Sequence, residues 1–237
     1  MEQSMVPGAA SLADLEWRAR ESERLRTNQA LSQGRAPLAL INIANCGTRI
    51  AEEALQHATQ AQPPPPLACK QGCDWCCHLT VGTSIPEVVR IAEYLRQSLS
   101  AEELGALRER ILRLDEQRRE RRAAGRNEAG LPCALLRDHR CSVYPLRPLM
   151  CRGMNSSDSA ECERFVESSG QTPLPLYAPQ LRLAAFVLDG MLAGLSNSGL
   201  AGERVELTAA LRIALEVPNA AERFLAGEPV FAAARFD

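Results

Sequence analysis

CKQGCDWCCHL, Cys69 to Leu79, sets four cysteines within nine positions, two of them adjacent, with Trp75 and His78 among them. Sulfur at that density has four competing explanations: a disulfide, a metal ligand set, a nucleophile, or an accident of composition. Just ahead stand Pro63 to Pro66. Four prolines cannot continue a helix and make a stiff extended spacer. Just behind, Ser84-Ile85-Pro86-Glu87 is a capping box with proline in the first turn, which predicts a helix to about Leu99. Between them, a helical Cys69 to Cys77 would set its cysteines, at i, i+4, i+7 and i+8, on one face, and a tight loop around Gly72 would let them converge; either geometry clusters sulfur.

Outward from it, the chain reads as helix nearly throughout. Ser11 to about Gln33 carries Leu12, Leu15, Ala19, Leu25 and Leu31 among charges, a helical arm or a mobile tail. Pro37 to about Ala61 predicts a second helix, weakened at Gly47. Ser100-Ala101-Glu102-Glu103 repeats the capping box and opens a longer helix, which ends in the basic run Arg118 to Arg126. That run reads as a solvated helix end, since cations suit a helix C-terminus. Pro132 to Cys162 is loop-rich, with a short hairpin expected near Leu135 and Cys141 to Tyr144. Leu181 to Leu195 is apolar enough for a central buried helix, followed by shorter ones over Val205 to Glu216 and Asn219 to Leu225. The expected fold class is mainly α: a helical single domain with two cysteine-rich loops converging on a metal centre, plus at most one short β-hairpin. Residues 1–35 form an N-terminal helical or flexible arm, and 36–237 the domain.

Composition narrows the class. The 237 residues can bury a sizeable core without crosslinks, and 46% of them are apolar. A formal net charge of −2 gives no pull toward nucleic acid or an anionic membrane. The N-terminus lacks a basic region followed by an apolar stretch, and Leu181 to Leu195 is interrupted by Arg182, Asp189 and Gly190. A cytoplasmic protein is expected, in a compartment that keeps thiols reduced.

Nine cysteines sit at 46, 69, 73, 76, 77, 133, 141, 151 and 162. Cys46 stands alone in a helix and reads as a small buried residue. The other eight form C-x3-C-x2-C-C and C-x7-C-x9-C-x10-C. Disulfides fit poorly, because the total is odd and adjacent cysteines bond to each other only with strain. Metal ligation fits better, since thiolates bind zinc, copper(I) or iron–sulfur clusters strongly. Cys69, Cys73, Cys76, Cys77, Cys133, Cys141, Cys151 and Cys162 are the candidate ligands. Structural zinc sites usually show paired C-x2-C knuckles, and only Cys73 and Cys76 make one. Irregular all-thiolate spacing suits an iron–sulfur cluster, the preferred reading over zinc. His78 is a further candidate ligand, or holds the loop through its backbone. Arg147 and Arg152 flank Cys151 and could hydrogen-bond thiolates; equally, they could be surface residues.

These residues resemble a known family. CKQGCDWCC, then Pro132-Cys133, then CSVYPLRPLMCR from Cys141 to Arg152, resemble the YkgJ family of cysteine-cluster proteins, a zinc- or iron-chelating domain. The resemblance covers about Leu67 to Cys162, and the helical tail to Asp237 also looks like that of longer members. It implies the eight cysteines as metal ligands, with Tyr144, Arg147 and Arg152 at the cofactor. PCALL replaces the commoner P-C-P-F-L segment, and Cys162 is typical of a subgroup. The family brings no settled reaction.

Three functions compete. The first is a metal-binding protein whose zinc or iron–sulfur centre is structural or carries electrons. The second is an enzyme, an iron–sulfur oxidoreductase or one related to protein methylation. Cys69, Cys73 and Cys76 have the C-x3-C-x2-C spacing of radical S-adenosylmethionine enzymes, but helix upon helix after Ser84 lacks the strand–helix units those enzymes need. The third is a metal chaperone or sensor. The partner, a protein or a small molecule, and the oligomeric state are not legible in the residues. Carboxylates such as Glu87 and Asp158 read as capping or surface groups.

Overall fold

Ser11, Ser84 and Ser100 open helices in the same way. Each side chain accepts the backbone N–H three residues on, and the acidic side chain there, Asp14, Glu87 or Glu103, accepts the serine's own N–H. The helices so started are α1 (Leu12–Gln33), α3 (Ile85–Ser98) and α4 (Ala101–Ala123). Proline at the first turn starts α2 (Pro37–Ala61) and α7 (Ala178–Asn197). Shorter helices are α5 (Leu149–Gly153), α6 (Ser159–Glu167), α8 (Leu207–Glu216) and α9 (Ala220–Leu225). The computed structural model describes residues 11–70 and 72–236, so the first ten residues of the expected arm lie outside the described residues. The protein is mainly α, with two two-stranded antiparallel sheets among the described residues.

The apolar helix α7 is the hub. It packs against α1, α2 and α5. Val187, Leu188, Met191 and Leu195 are fully buried on it. Two glycines let α1 come close. A Cβ on Gly190 would lie 2.2 Å from the Arg20 carbonyl oxygen, and one on Gly194 would lie 2.5 Å from the Thr27 side chain. Ala19 and Leu31 of α1 accordingly sit in the same hydrophobic cluster as α2, α3, α7 and α8. Gly47 does not break α2; a Cβ there would lie 2.7 Å from the Met191 methyl, so its smallness serves packing. No helix among the described residues is long and apolar enough to cross a membrane.

Local signals then shape the ends of the site. Val205 and Glu206, expected as the start of a helix, form the strand β4, which pairs with β1 (Gly82–Thr83) immediately after the cysteine stretch. Glu206 then caps α8 by accepting the Ala209 N–H. The hairpin β2 (Leu136–Arg137) and β3 (Arg140–Cys141) turns through Asp138 and His139, both at positive φ, as a two-residue hairpin loop requires. The basic run is not wholly solvated. Arg118 is 2% exposed, pairs with Glu206, and donates to Thr208 and to the Leu79 carbonyl.

Candidate metal centre

Seven of the eight candidate cysteines line one cavity of about 740 Å³: Cys69, Cys73, Cys76, Cys77, Cys133, Cys141 and Cys151. They arrive on three segments. Cys76 and Cys77 lie on the short 3-10 helix Trp75–His78, with Cys69 and Cys73 on the loop before it. Cys133 and Cys141 flank the hairpin, whose register sets Cys141 opposite Leu136. Cys151 lies on α5. The segments are tied together through their backbones. The Cys133 N–H donates to the Cys77 carbonyl at 2.8 Å, and the Gly130 N–H to the His78 carbonyl at 2.9 Å. On the other side, the Ala68 N–H donates to the Ser156 carbonyl at 2.9 Å. Cys162, on α6, lines a second, adjacent cavity together with Cys69, Cys73 and Cys76.

The supporting frame uses arginine. Arg90 of α3 is buried, donates to Ala44, Asn45 and Thr48 of α2, and holds the Leu146 carbonyl at 3.1 Å. Arg118 of α4 holds Leu79, and Arg121 holds the Ala129 carbonyl at 2.8 Å. Arg152 donates to the Pro145 and Arg147 carbonyls and pairs with Glu52 of α2 at 2.8 Å. It thus braces the loop from behind and lines neither cavity. Glu87 does double duty. Besides capping α3, its carboxylate accepts the Leu149 N–H at 2.6 Å and so caps α5, two residues before Cys151. Arg90, Arg118 and Glu87 were not singled out by spacing. Only the capping box around Glu87 carried a signal, and it pointed to α3 alone.

Burial and mutual repulsion dominate the thiols' acid–base behaviour. Burial pushes Cys133 up to about 11 and holds Cys151 well above the usual thiol range, with Cys133, Cys76 and Cys141 adding to the latter. Cys73, Cys141 and Cys162 are also raised by burial. Each of these three is partly relieved by a hydrogen bond: from the Trp75 N–H, the Val143 N–H and the Ser156 side chain respectively. Cys133 receives the Leu135 N–H in the same way. In three cases, then, the amide two residues on faces the sulfur. The Cys77 thiol bonds to Cys76, which with the nearby Arg147 lowers Cys76 to about 7 and drives Cys77 upward.

The donor set suits a metal. Eight thiols with backbone N–H groups aimed at several of them need a cation to be deprotonated together. Arg147 lines the cavity, stacks over Tyr144 at 4.3 Å, and buries its Nε without an acceptor. A buried orphan donor beside sulfur is a ready partner for thiolate. Among the described residues, no three His, Cys, Asp or Glu side chains are contracted into a single-ion cage; the thiols stand as cavity walls. His78 lines neither cavity, and its ring lies 3.7 Å from Asp74. His139, on the hairpin turn, sits at the rim and bonds Asp74 at 3.0 Å. Cys46 lies in α2 beside Arg49, away from both cavities.

Residues 68–168 match the family model CxxCxxCC, described as a "putative zinc- or iron-chelating domain". This segment, under half of the chain, is similar to the CxxCxxCC domain. It contains all eight candidate cysteines, the hairpin, and helices α3 to α6. Helices α1, α2, α7 and α8, which supply half of the buried core, lie outside it. The matched segment is thus inserted between helical elements that pack around it. No curated protein and no solved structure matches the chain at a significant level.

Proposed function

We propose that the CxxCxxCC domain holds iron as an iron–sulfur centre at the wall of an open cavity, and that the centre exchanges electrons with a small molecule or partner admitted there. The observation that carries this reading is the cavity itself. At about 740 Å³ it is larger than a metal site needs, and its wall also includes apolar Leu79, Val81, Met150, Leu207 and Phe236 beside charged Lys70, Arg140 and Arg204. A purely structural zinc site is closed by its four ligands. Thiols facing an accessible cavity suit electron transfer or contact with a small molecule instead. When bound, such a centre supplies one-electron chemistry. The chain's own residues would hold it through thiolates, with Arg147 and backbone N–H groups stabilising their charge. The zinc reading predicts a colourless, redox-silent protein. Protein purified without oxygen is therefore expected to show visible absorbance that dithionite bleaches and ferricyanide restores. Stoichiometric zinc with no such change would contradict the proposal and leave a structural metal domain.

A further inference from the structure

The two cavities divide the eight thiols in a way their sequence order does not. Along the chain the groups are 69, 73, 76, 77 and 133, 141, 151, 162. In space, Cys162 faces the first group and Cys77 faces the second. Cys162 lines the smaller cavity with Cys69, Cys73 and Cys76, and is absent from the wall of the larger one. Cys77, Cys133, Cys141 and Cys151 line the larger cavity only. Ser156 braces the first set from one point: its N–H donates to the Cys69 sulfur at 3.3 Å, and its side chain bonds Cys162. Cys162 lies near Cys69, Cys73 and Cys76, and Cys77 lies near Cys133 and Cys141 while also bonding Cys76. Cys76 stands at the seam, reached from both sides.

We infer that the domain carries two metal centres, one on Cys69, Cys73, Cys76 and Cys162, the other on Cys77, Cys133, Cys141 and Cys151. This rests on the metal-binding reading above. Cys76 and Cys77 are adjacent on the short 3-10 helix and their thiols bond each other, so the pair sits where the two sets meet and each can serve a different centre. Their adjacency, hard to use in one tetrahedron, is natural where two meet. The cavities also differ in capacity. The smaller is about 20 Å³, and its wall also includes Trp75, Phe165, Leu174 and Leu176. A volume near that of a single water admits one ion and little else. Drawn in from the cavity wall onto one such ion, four thiols would select a thiophilic divalent metal, zinc or ferrous iron. The larger cavity has room for a cluster.

Two double variants separate the centres: Cys73→Ser with Cys162→Ser, and Cys133→Ser with Cys151→Ser, with Cys46→Ser as control. Metal, acid-labile sulfide and the visible spectrum are measured on the full chain, purified without oxygen. The first pair is expected to lose about one metal ion per chain while keeping the wild-type sulfide and spectrum. The second is expected to lose the remaining metal and keep that one ion. Either pair stripping all the metal, or the first leaving it unchanged, overturns the division. A wild-type protein with no metal overturns the metal reading itself, a different result. Because a variant can fail to fold, the wild type is also alkylated during graded chelation and mapped by mass spectrometry. The thiols should become reactive as two sets of four, Cys77 with Cys133 and Cys162 with Cys69. All eight labelling at one rate would mean a single centre.

Discussion

Glu23 shows how one buried side chain can make stability depend on pH. It is fully buried on α1, its Oε1 accepts the Thr27 hydroxyl at 3.2 Å, and its Oε2 has no partner among the described residues. Burial raises it to about 8, with the Glu87 charge adding to the effect. Because the folded value lies above the model-peptide 4.5, the folded state favours the protonated acid. The stabilisation is complete below about 4.5 and is lost as pH rises through about 8. Glu23→Gln keeps the hydrogen bond to Thr27 and removes the titration. It should raise Tm at pH 9, where ionisation costs on the order of 4 kcal/mol, and leave it nearly unchanged at pH 5. An equal Tm difference at both values would refute this assignment. Glu87 links stability to the site instead. Its carboxylate takes bonds from Thr83, Ser84 and Leu149, all from buried residues. Glu87→Ala orphans those donors, so a loss of roughly 3 kcal/mol in urea unfolding is expected. Metal content per chain should fall with it, because α5 carries Cys151. Normal metal loading in a destabilised protein would mean that α5 is placed by other contacts.

At the scale of elements, the α1–α7 seam and the hairpin make the clearest cases. Gly190→Ala places a methyl against the Arg20 carbonyl, so a loss of about 1–3 kcal/mol is expected from chemical denaturation. Gly105→Ala is the matched contrast. It lies within α4 with nothing within 4 Å of the added carbon, so it should gain up to about 1 kcal/mol. Loss of stability in both would point to helix propensity having no part in the comparison. Elements with local signals were legible in the sequence. The capping boxes at Ser84 and Ser100 start helices where expected, and the apolar run from Leu181 is the hub α7. The hairpin falls at Leu136 to Cys141, within the stretch read for it. What escaped depends on distant partners. Val205 and Glu206 are helical by local pattern and become a strand only because Gly82 and Thr83 lie beside them. Helices α5 and α6 fall in a stretch read as loop, because five to nine residues carry too little periodicity to register. The Arg90 and Arg118 braces were invisible for the same reason: each bonds a carbonyl far away in the chain, and carbonyls have no sequence signature.

At the scale of the molecule, helices on both sides of the CxxCxxCC segment hold its loops. Arg90 ties Leu146 to α2, Arg118 ties Leu79 to α8 through Thr208, and Tyr177 reaches back to the Gln62 carbonyl at 2.6 Å. Thiols whose loops are positioned by so many distant contacts would cost less to assemble around a metal. The cysteines themselves were legible as candidate ligands by type and density. Their grouping was not, because Cys162 is brought to Cys69 and Cys73 by Ser156 and α6, elements that no spacing rule anticipates. The claim on which the rest stands is that these thiols hold metal. Quantifying iron, zinc and acid-labile sulfide per chain, on full-length protein purified without oxygen, tests it most directly. Iron with matching sulfide is the predicted result. Protein with neither metal, all eight thiols free to alkylation and its helical fold intact, would contradict it.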